Sequence, residues 1–195
     1  MNMIHIYVVL YNDFTALDVF GPVEVLSHID EFKIHFVSLN GGIVENHQSV
    51  RIETEPMNII KNNGILLVPG GSGSRKMIHD YNFMDTLSNV AKGANYILCV
   101  CTGSALIAKT GVLDGKMATS NKMAFDWVIA QRPEVNWNRE ARWTVDGKYY
   151  TSAGVSAGTD MALGFIKDCY GEKRALEICR KMEYHWNSAA EHDTF

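Results

Sequence analysis

Short runs of β-branched and aromatic residues recur along this chain, each closed by Gly, Pro, Asn or Asp and followed by a stretch of helix length. That alternation limits the fold more than any other feature. The apolar runs are too continuous to have a wet face, so they read as strands buried on both sides, as in a parallel sheet covered by helices. Strands are expected over residues 4–10, 33–39, 65–68, 96–100 and 148–152, with a shorter one over 50–54. Helices are expected over 16–29, 82–91, 104–109, 122–131, 159–170 and 173–184, the first interrupted near Gly21-Pro22 because proline resists a helix interior. Residues 137–146 are polar and read as a hairpin or an excursion from the sheet. Ligands of such sheets sit beyond the carboxyl ends of the strands, where residues 13–18, 69–74, 101–104 and 152–158 fall.

The chain's 195 residues suit one domain spanning residues 1–195, with 47% hydrophobic and 21% charged residues. A net charge of −4 argues against a nucleic-acid partner. The first residues lack a basic, then long apolar, leader, and no stretch is apolar for long enough to span a membrane. A cytoplasmic, reducing setting follows as an expectation. The four cysteines, Cys99, Cys101, Cys169 and Cys179, are then read as thiols rather than disulfides.

Cys101 ends an apolar strand and a helix begins at once, through Thr102, Gly103 and Ser104. This is the strand-turn-helix pattern of a nucleophile elbow. The turn pushes the side chain off the sheet edge, and the free N–H groups of the helix start favour thiolate, so a lowered thiol pKa is expected. Gly103 permits a close approach of backbone or substrate. Gly70, Gly71 and Ser72 follow the strand at 65–68, where their amides can face a developing oxyanion. Asp18 stands among apolar neighbours just past the first strand, a setting that disfavours its ionised form and suits a proton donor. Glu24 has a similar but less apolar setting. Each also has a plainer role: Cys101 as a small core side chain, the glycines as an ordinary turn, Asp18 as a helix cap. Gly154-Val155-Ser156-Ala157-Gly158 is a literal G-x-S-x-G, a rival chemistry, yet no further strand would carry a histidine to Ser156. The seven histidines show no metal-binding spacing.

Taken together, Leu17-Asp18-Val19-Phe20-Gly21-Pro22, Leu67-Val68-Pro69-Gly70-Gly71, Val100-Cys101-Thr102-Gly103-Ser104, Gly111-Val112-Leu113-Asp114-Gly115-Lys116 and Thr151-Ser152-Ala153-Gly154 resemble the ThiJ/PfpI superfamily over nearly the whole chain. The Leu-Asp start and Cys-Thr-Gly-Ser elbow are most similar to its isonitrile hydratase branch. The resemblance implies a flavodoxin-like three-layer sandwich of the class I glutamine amidotransferase-like kind, no metal or organic cofactor, a homodimer meeting near the first helix, and a small-molecule substrate. It implies a lyase that hydrates an isocyanide to an N-substituted formamide, with Cys101 as nucleophile, Asp18 as acid and base, and Thr102 as a supporting hydroxyl. Many relatives carry Thr-Thr-His-Trp where this chain has Thr119-Ser120-Asn121-Lys122, which weakens peptidase and amidotransferase readings that rely on a Cys–His pair. A redox or electrophile sensor and a ligand-binding regulatory domain are the alternatives. The regulatory relatives carry a helix-turn-helix segment that is not expected here.

Overall fold

The computed structural model describes residues 3–195. In chain order its elements are β1 (Ile4–Val9), α1 (Ala16–Ser27), β2 (Phe32–Ser38), β3 (Gly42–Glu45), β4 (Arg51–Pro56) and β5 (Ile65–Val68). There follow α2 (Ser74–Met77), α3 (Tyr81–Gly93), β6 (Tyr96–Val100), α4 (Gly103–Lys109), β7 (Met117–Ala118) and α5 (Phe125–Gln131). The last are β8 (Asn136–Trp137), β9 (Trp143–Asp146), β10 (Tyr149–Ser152), α6 (Ala157–Tyr170) and α7 (Glu172–Lys181).

An eight-stranded sheet runs in the order β3-β4-β2-β1-β5-β6-β10-β9. The strands from β4 across to β10 are parallel, and an antiparallel strand closes each edge. Alternation along β1 explains the layers. Ile6, Val8 and Leu10 join a core with Val19, Leu26, Met161 and Phe165 from α1 and α6. Tyr7, Val9 and Tyr11 join a second core with Phe83, Leu87, Leu106 and Val128 from α3, α4 and α5. The result is the expected flavodoxin-like α/β sandwich. Among the described residues no helix is long and apolar enough to cross a membrane.

Three expectations need correction. Helix α1 runs unbroken through Pro22. The missing N–H forfeits one hydrogen bond, while burial of Val19, Pro22, Val25 and Leu26 holds the helix against the sheet. β3 forms where a turn was expected to end the second strand: Asn46 accepts N–H bonds from Gln48 and Val50 and so folds β3 back on β4. The single turn α2 was not anticipated at all. Of the two readings of residues 137–146, the hairpin holds for β9, which pairs antiparallel with β10, while β8 pairs with β7 outside the main sheet.

The chain departs from β1 first to one side, to β2, and later to the other, to β5. The carboxyl ends of β1, β5 and β6 therefore open a crevice at a topological switch point.

Candidate active site

Cys101 occupies the left-handed region, with φ +56°, where a side chain other than glycine's is strained. Hydrogen bonds to its backbone hold it there. Its N–H donates to the Ser152 carbonyl at 3.1 Å. Its own carbonyl accepts the Ser104 hydroxyl at 2.9 Å and the Ser120 hydroxyl at 2.8 Å. The expected elbow is thus present. At Gly103 a Cβ would sit 2.1 Å from the Val68 carbonyl oxygen, so α4 can start this close to β5 only with glycine there. The close approach is to backbone.

Asp18 lies in the first turn of α1 and is fully buried. Its Oδ2 accepts the Gly70 N–H at 3.0 Å. Its Oδ1 is buried with no hydrogen-bond partner. Gly70 is packed so tightly that a Cβ would come within 2.6 Å of the Thr102 nitrogen and 2.9 Å of Asp18 Oδ2. The Thr102 hydroxyl accepts the Gly71 N–H at 3.1 Å and the Ser74 hydroxyl at 3.0 Å.

The glycine turn therefore corrects an expectation. The Gly70 and Gly71 amides are committed to Asp18 and Thr102, where they order two side chains and do not face an oxyanion. Ser72 is exposed, and its carbonyl accepts the Arg75 N–H in the next turn, away from the pair. Asp18, Gly70, Gly71, Cys101, Thr102 and Gly103 come together, and Ser72 does not.

Protonation supplies a second correction. Burial pushes Asp18 up to about 7, against the opposing effects of the Gly70 N–H and the thiol. Burial, then the Asp18 charge, pushes Cys101 up to about 12, although the Thr102 N–H and hydroxyl favour the thiolate. The expected lowering of the thiol pKa does not survive folding: the residue is only 7% exposed and faces an anion. Near neutral pH the thiol keeps its proton and the carboxyl is partly protonated, so the pair holds one proton or two. Among the described residues no three His, Cys, Asp or Glu side chains gather as a metal would require. The four thiols are free.

The DJ-1/PfpI family model matches residues 4–168. The chain belongs to the DJ-1/PfpI family. An isonitrile hydratase of Pseudomonas putida is 28% identical over 178 residues, covering 90% of this chain and 76% of that protein. The HTH-type transcriptional regulator CdhR of Pseudomonas aeruginosa is 25% identical over 160 residues, covering 80% of this chain but 47% of the regulator. Among solved structures, a ThiJ/PfpI family protein from Pseudomonas syringae superposes with a TM-score of 0.86 at 26% identity, covering 94% of this chain and 76% of that one.

In this DJ-1/PfpI chain residues 120–122 have local work. Ser120 pins the cysteine, Asn121 accepts the Ala124 N–H ahead of α5, and the Lys122 ammonium donates to the Ala141 carbonyl at 2.6 Å. No histidine side chain is hydrogen-bonded to Cys101 or Asp18 among the described residues. Ser156 lies at the start of α6, where its hydroxyl accepts from Arg142 at 3.4 Å and has no histidine beside it. That leaves the G-x-S-x-G without a general base. Sequence reasoning missed Tyr11, Ser74, Ser104 and Ser120. Tyr11 donates to the Pro69 carbonyl at 2.7 Å, and burial, Asp18 and Cys101 hold its phenol well above its ordinary range. Only their place at strand ends or turns could have marked these residues.

Proposed function

We propose that this protein is a cysteine-dependent hydratase of small isocyanides, converting R–N≡C and water to an N-substituted formamide. One observation carries the reading: a buried carboxyl with an unpartnered oxygen and a pKa near neutrality stands beside a cysteine held at positive φ.

Such a pair suits chemistry at an isocyanide carbon, which must gain both a nucleophile and a proton. The Cys101 proton passes to the Asp18 carboxylate as sulfur attacks the terminal carbon. Asp18 then returns that proton to the same carbon, giving the thioimidate Cys–S–CH=N–R. Asp18, again ionised, takes a proton from water as its oxygen adds to that carbon, and delivers it to nitrogen. The hydroxyl proton of the tetrahedral adduct passes through Asp18 to sulfur as the C–S bond breaks and the C=O bond forms. Formamide and free thiol result, and the atoms balance. Thr102 is a positioning residue in this scheme, fixing the helix start beside sulfur.

A redox-sensor role needs an exposed thiol of low pKa. The burial of Cys101 and its raised pKa weigh against it. The reading includes a homodimer in which a second copy covers the outer face of α1, supported by the exposed Leu17 and Phe20 beside Asp18. Sedimentation as a monomer at all concentrations would overturn that part.

The test of activity compares wild type, Cys101→Ser and Asp18→Ala on cyclohexyl and aryl isocyanides, with formamide measured directly. Wild type is expected to turn over and both variants to fall to background. Formamide production equal in wild type and Cys101→Ser would refute the reading.

A further inference from the structure

Three polar side chains join three neighbouring strands on the β3 side of the sheet. His5 Nδ1 on β1 lies 2.9 Å from His35 Nε2 on β2, and His35 Nδ1 lies 2.8 Å from Glu55 Oε1 on β4. Both histidines are half-buried, and Glu55 reaches them from the exposed side. Tyr7 stands opposite His35 in the β1–β2 register, and the rings of His5, His35 and Tyr7 stack with centroids 5.1 to 6.1 Å apart.

The number of hydrogens limits the charge that this arrangement can hold. An ionised Glu55 only accepts, so His35 Nδ1 carries a hydrogen. With both rings neutral, His5 Nδ1 donates to His35 Nε2. With one added proton, His35 donates from both nitrogens, to Glu55 and to His5 Nδ1. With two, an N–H of His5 faces an N–H of His35 across 2.9 Å, and the contact must open. The neighbours oppose that second proton. Burial, then His35, then Lys33 on β2 and Lys61 ahead of β5, hold His5 below its ordinary range. Tyr7 brings no charge, and its hydroxyl accepts the Lys61 N–H at 3.3 Å. On β4 the carboxylate in contact is that of Glu55, while Glu53 stands opposite Ile43 of β3. A histidine held low in the folded chain supports the fold above its ordinary value of 6.5, and that support is lost as pH falls below it.

β4 has few other ties to the sheet. Its register with β2 covers Val37 opposite Glu55 and Ser38 opposite Pro56, and proline has no N–H to give. The Ser38 and Thr54 hydroxyls meet at 2.7 Å. On its other side β4 carries β3, which braces the loop ahead of α1. The Glu45 carbonyl accepts the Asp13 N–H and the Glu45 N–H donates to Asn12 Oδ1, each at 3.0 Å. The Asp13 carbonyl in turn accepts the Gly73 N–H at 3.2 Å, in the turn whose Gly70 holds Asp18.

We propose that Glu55, His35 and His5 form an acid-sensitive fastener. It ties the β3–β4 hairpin to the sheet while it holds at most one added proton, and a second proton releases the hairpin and the loop at Asn12–Asp13 that it braces. Backbone hydrogen exchange tests this as protection factors at pH 7.5 and 5.0, in which the pH dependence of the chemical exchange step cancels. Wild type is expected to lose about fivefold in protection over residues 51–55 and at the Asp13 amide, the worth of about one hydrogen bond, while β5 and β6 keep theirs. His35→Phe keeps a ring on Tyr7 but loses both contacts. It should show at pH 7.5 the low protection of wild type at pH 5.0, with little further loss in acid. Glu55→Ala, which removes the acceptor on β4, should lower protection over 51–55 at pH 7.5.

Imidazole titration by NMR separates this fastener from general loosening in acid. His5 should titrate below the ordinary histidine range in wild type and move towards it in His35→Phe. Protection independent of pH in wild type, an equal acid loss in His35→Phe, or identical His5 titration in the two proteins overturns the proposal. Acid loss confined to residues 51–55, with the Asp13 amide unchanged, overturns its reach to the loop. If His35→Phe does not fold, His5→Phe breaks the same contact from β1 and takes the same exchange comparison.

Discussion

Replacing Asp18 by Asn should make this protein more stable, and only at the higher pH values. In the folded chain the carboxyl is fully buried, with one oxygen satisfied by Gly70 and the other by nothing. Burial raises it from 3.8 to about 7. An acid whose folded pKa is raised binds its proton more tightly in the folded state than in the unfolded one. Its contribution is therefore most favourable below pH 3.8 and is lost as pH rises towards 7. At about 1.36 kcal/mol per pH unit, that displacement amounts to about 4 kcal/mol. An Asn side chain keeps an oxygen for the Gly70 N–H and carries no charge to desolvate. Asp18→Asn should therefore match wild type near pH 4 and exceed it by up to about 4 kcal/mol above pH 7, or about 10 °C in Tm for a chain of this size. Urea unfolding of both proteins between pH 4 and 9 measures the difference, in which the other titrating groups cancel. A difference that does not change with pH, or a less stable Asn variant at pH 8, would show that burial does not set the Asp18 proton affinity.

The same electrostatics predicts a sluggish thiol. Peptide-resolved alkylation should place the apparent pKa of wild-type Cys101 above 9, and Asp18→Asn should lower it by about one unit; a wild-type value below 8.5 would contradict the burial argument. Gly103→Ala puts a methyl 2.1 Å from the Val68 carbonyl oxygen and should cost about 3 kcal/mol or more in urea unfolding, with loss of activity. Ser120→Ala removes one of two hydroxyls on the Cys101 carbonyl and should cost about 1–2 kcal/mol, with Ser120→Thr restoring most of it; no change in unfolding would remove Ser120 from the cysteine's support.

The central strands were legible because a strand buried on both faces must be continuously apolar, as β1, β5 and β6 are. The edges were not. In β3 only Ile43 and Val44 are apolar, and α2 is one turn following glycines, too short for any period to register. Within the site, Cys101, Thr102 and Gly103 were legible because an elbow is a local feature: a strand, a turn and a helix in succession. Asp18 was legible from its apolar neighbours. The roles of Gly70 and Gly71 were not, because they depend on partners 52 and 31 residues away, which no local pattern encodes. Ser74 and Ser120 each contribute a single hydroxyl across the fold, a contact that leaves no periodic trace.

The sign of the thiol shift turns on which effect is larger. A helix N-terminus stabilises a nearby anion by about 0.3–1 kcal/mol, and by up to about 2 in favourable geometry. Against it, burial and the Asp18 charge move Cys101 from 9.0 to about 12, an opposing effect of about 4 kcal/mol. The helix start cannot by itself make this cysteine a nucleophile at neutral pH. The elbow's contribution is positional: it aims sulfur and holds it at positive φ. The chemical contribution belongs to the pair, because removing a proton from sulfur is feasible only when Asp18 takes it. Raising the carboxyl from 3.8 to about 7 narrows its gap to the thiol and so makes that transfer less unfavourable. Under the proposed hydratase reading, the burial that makes Asp18 costly to the fold is the same burial that raises its proton affinity for this role.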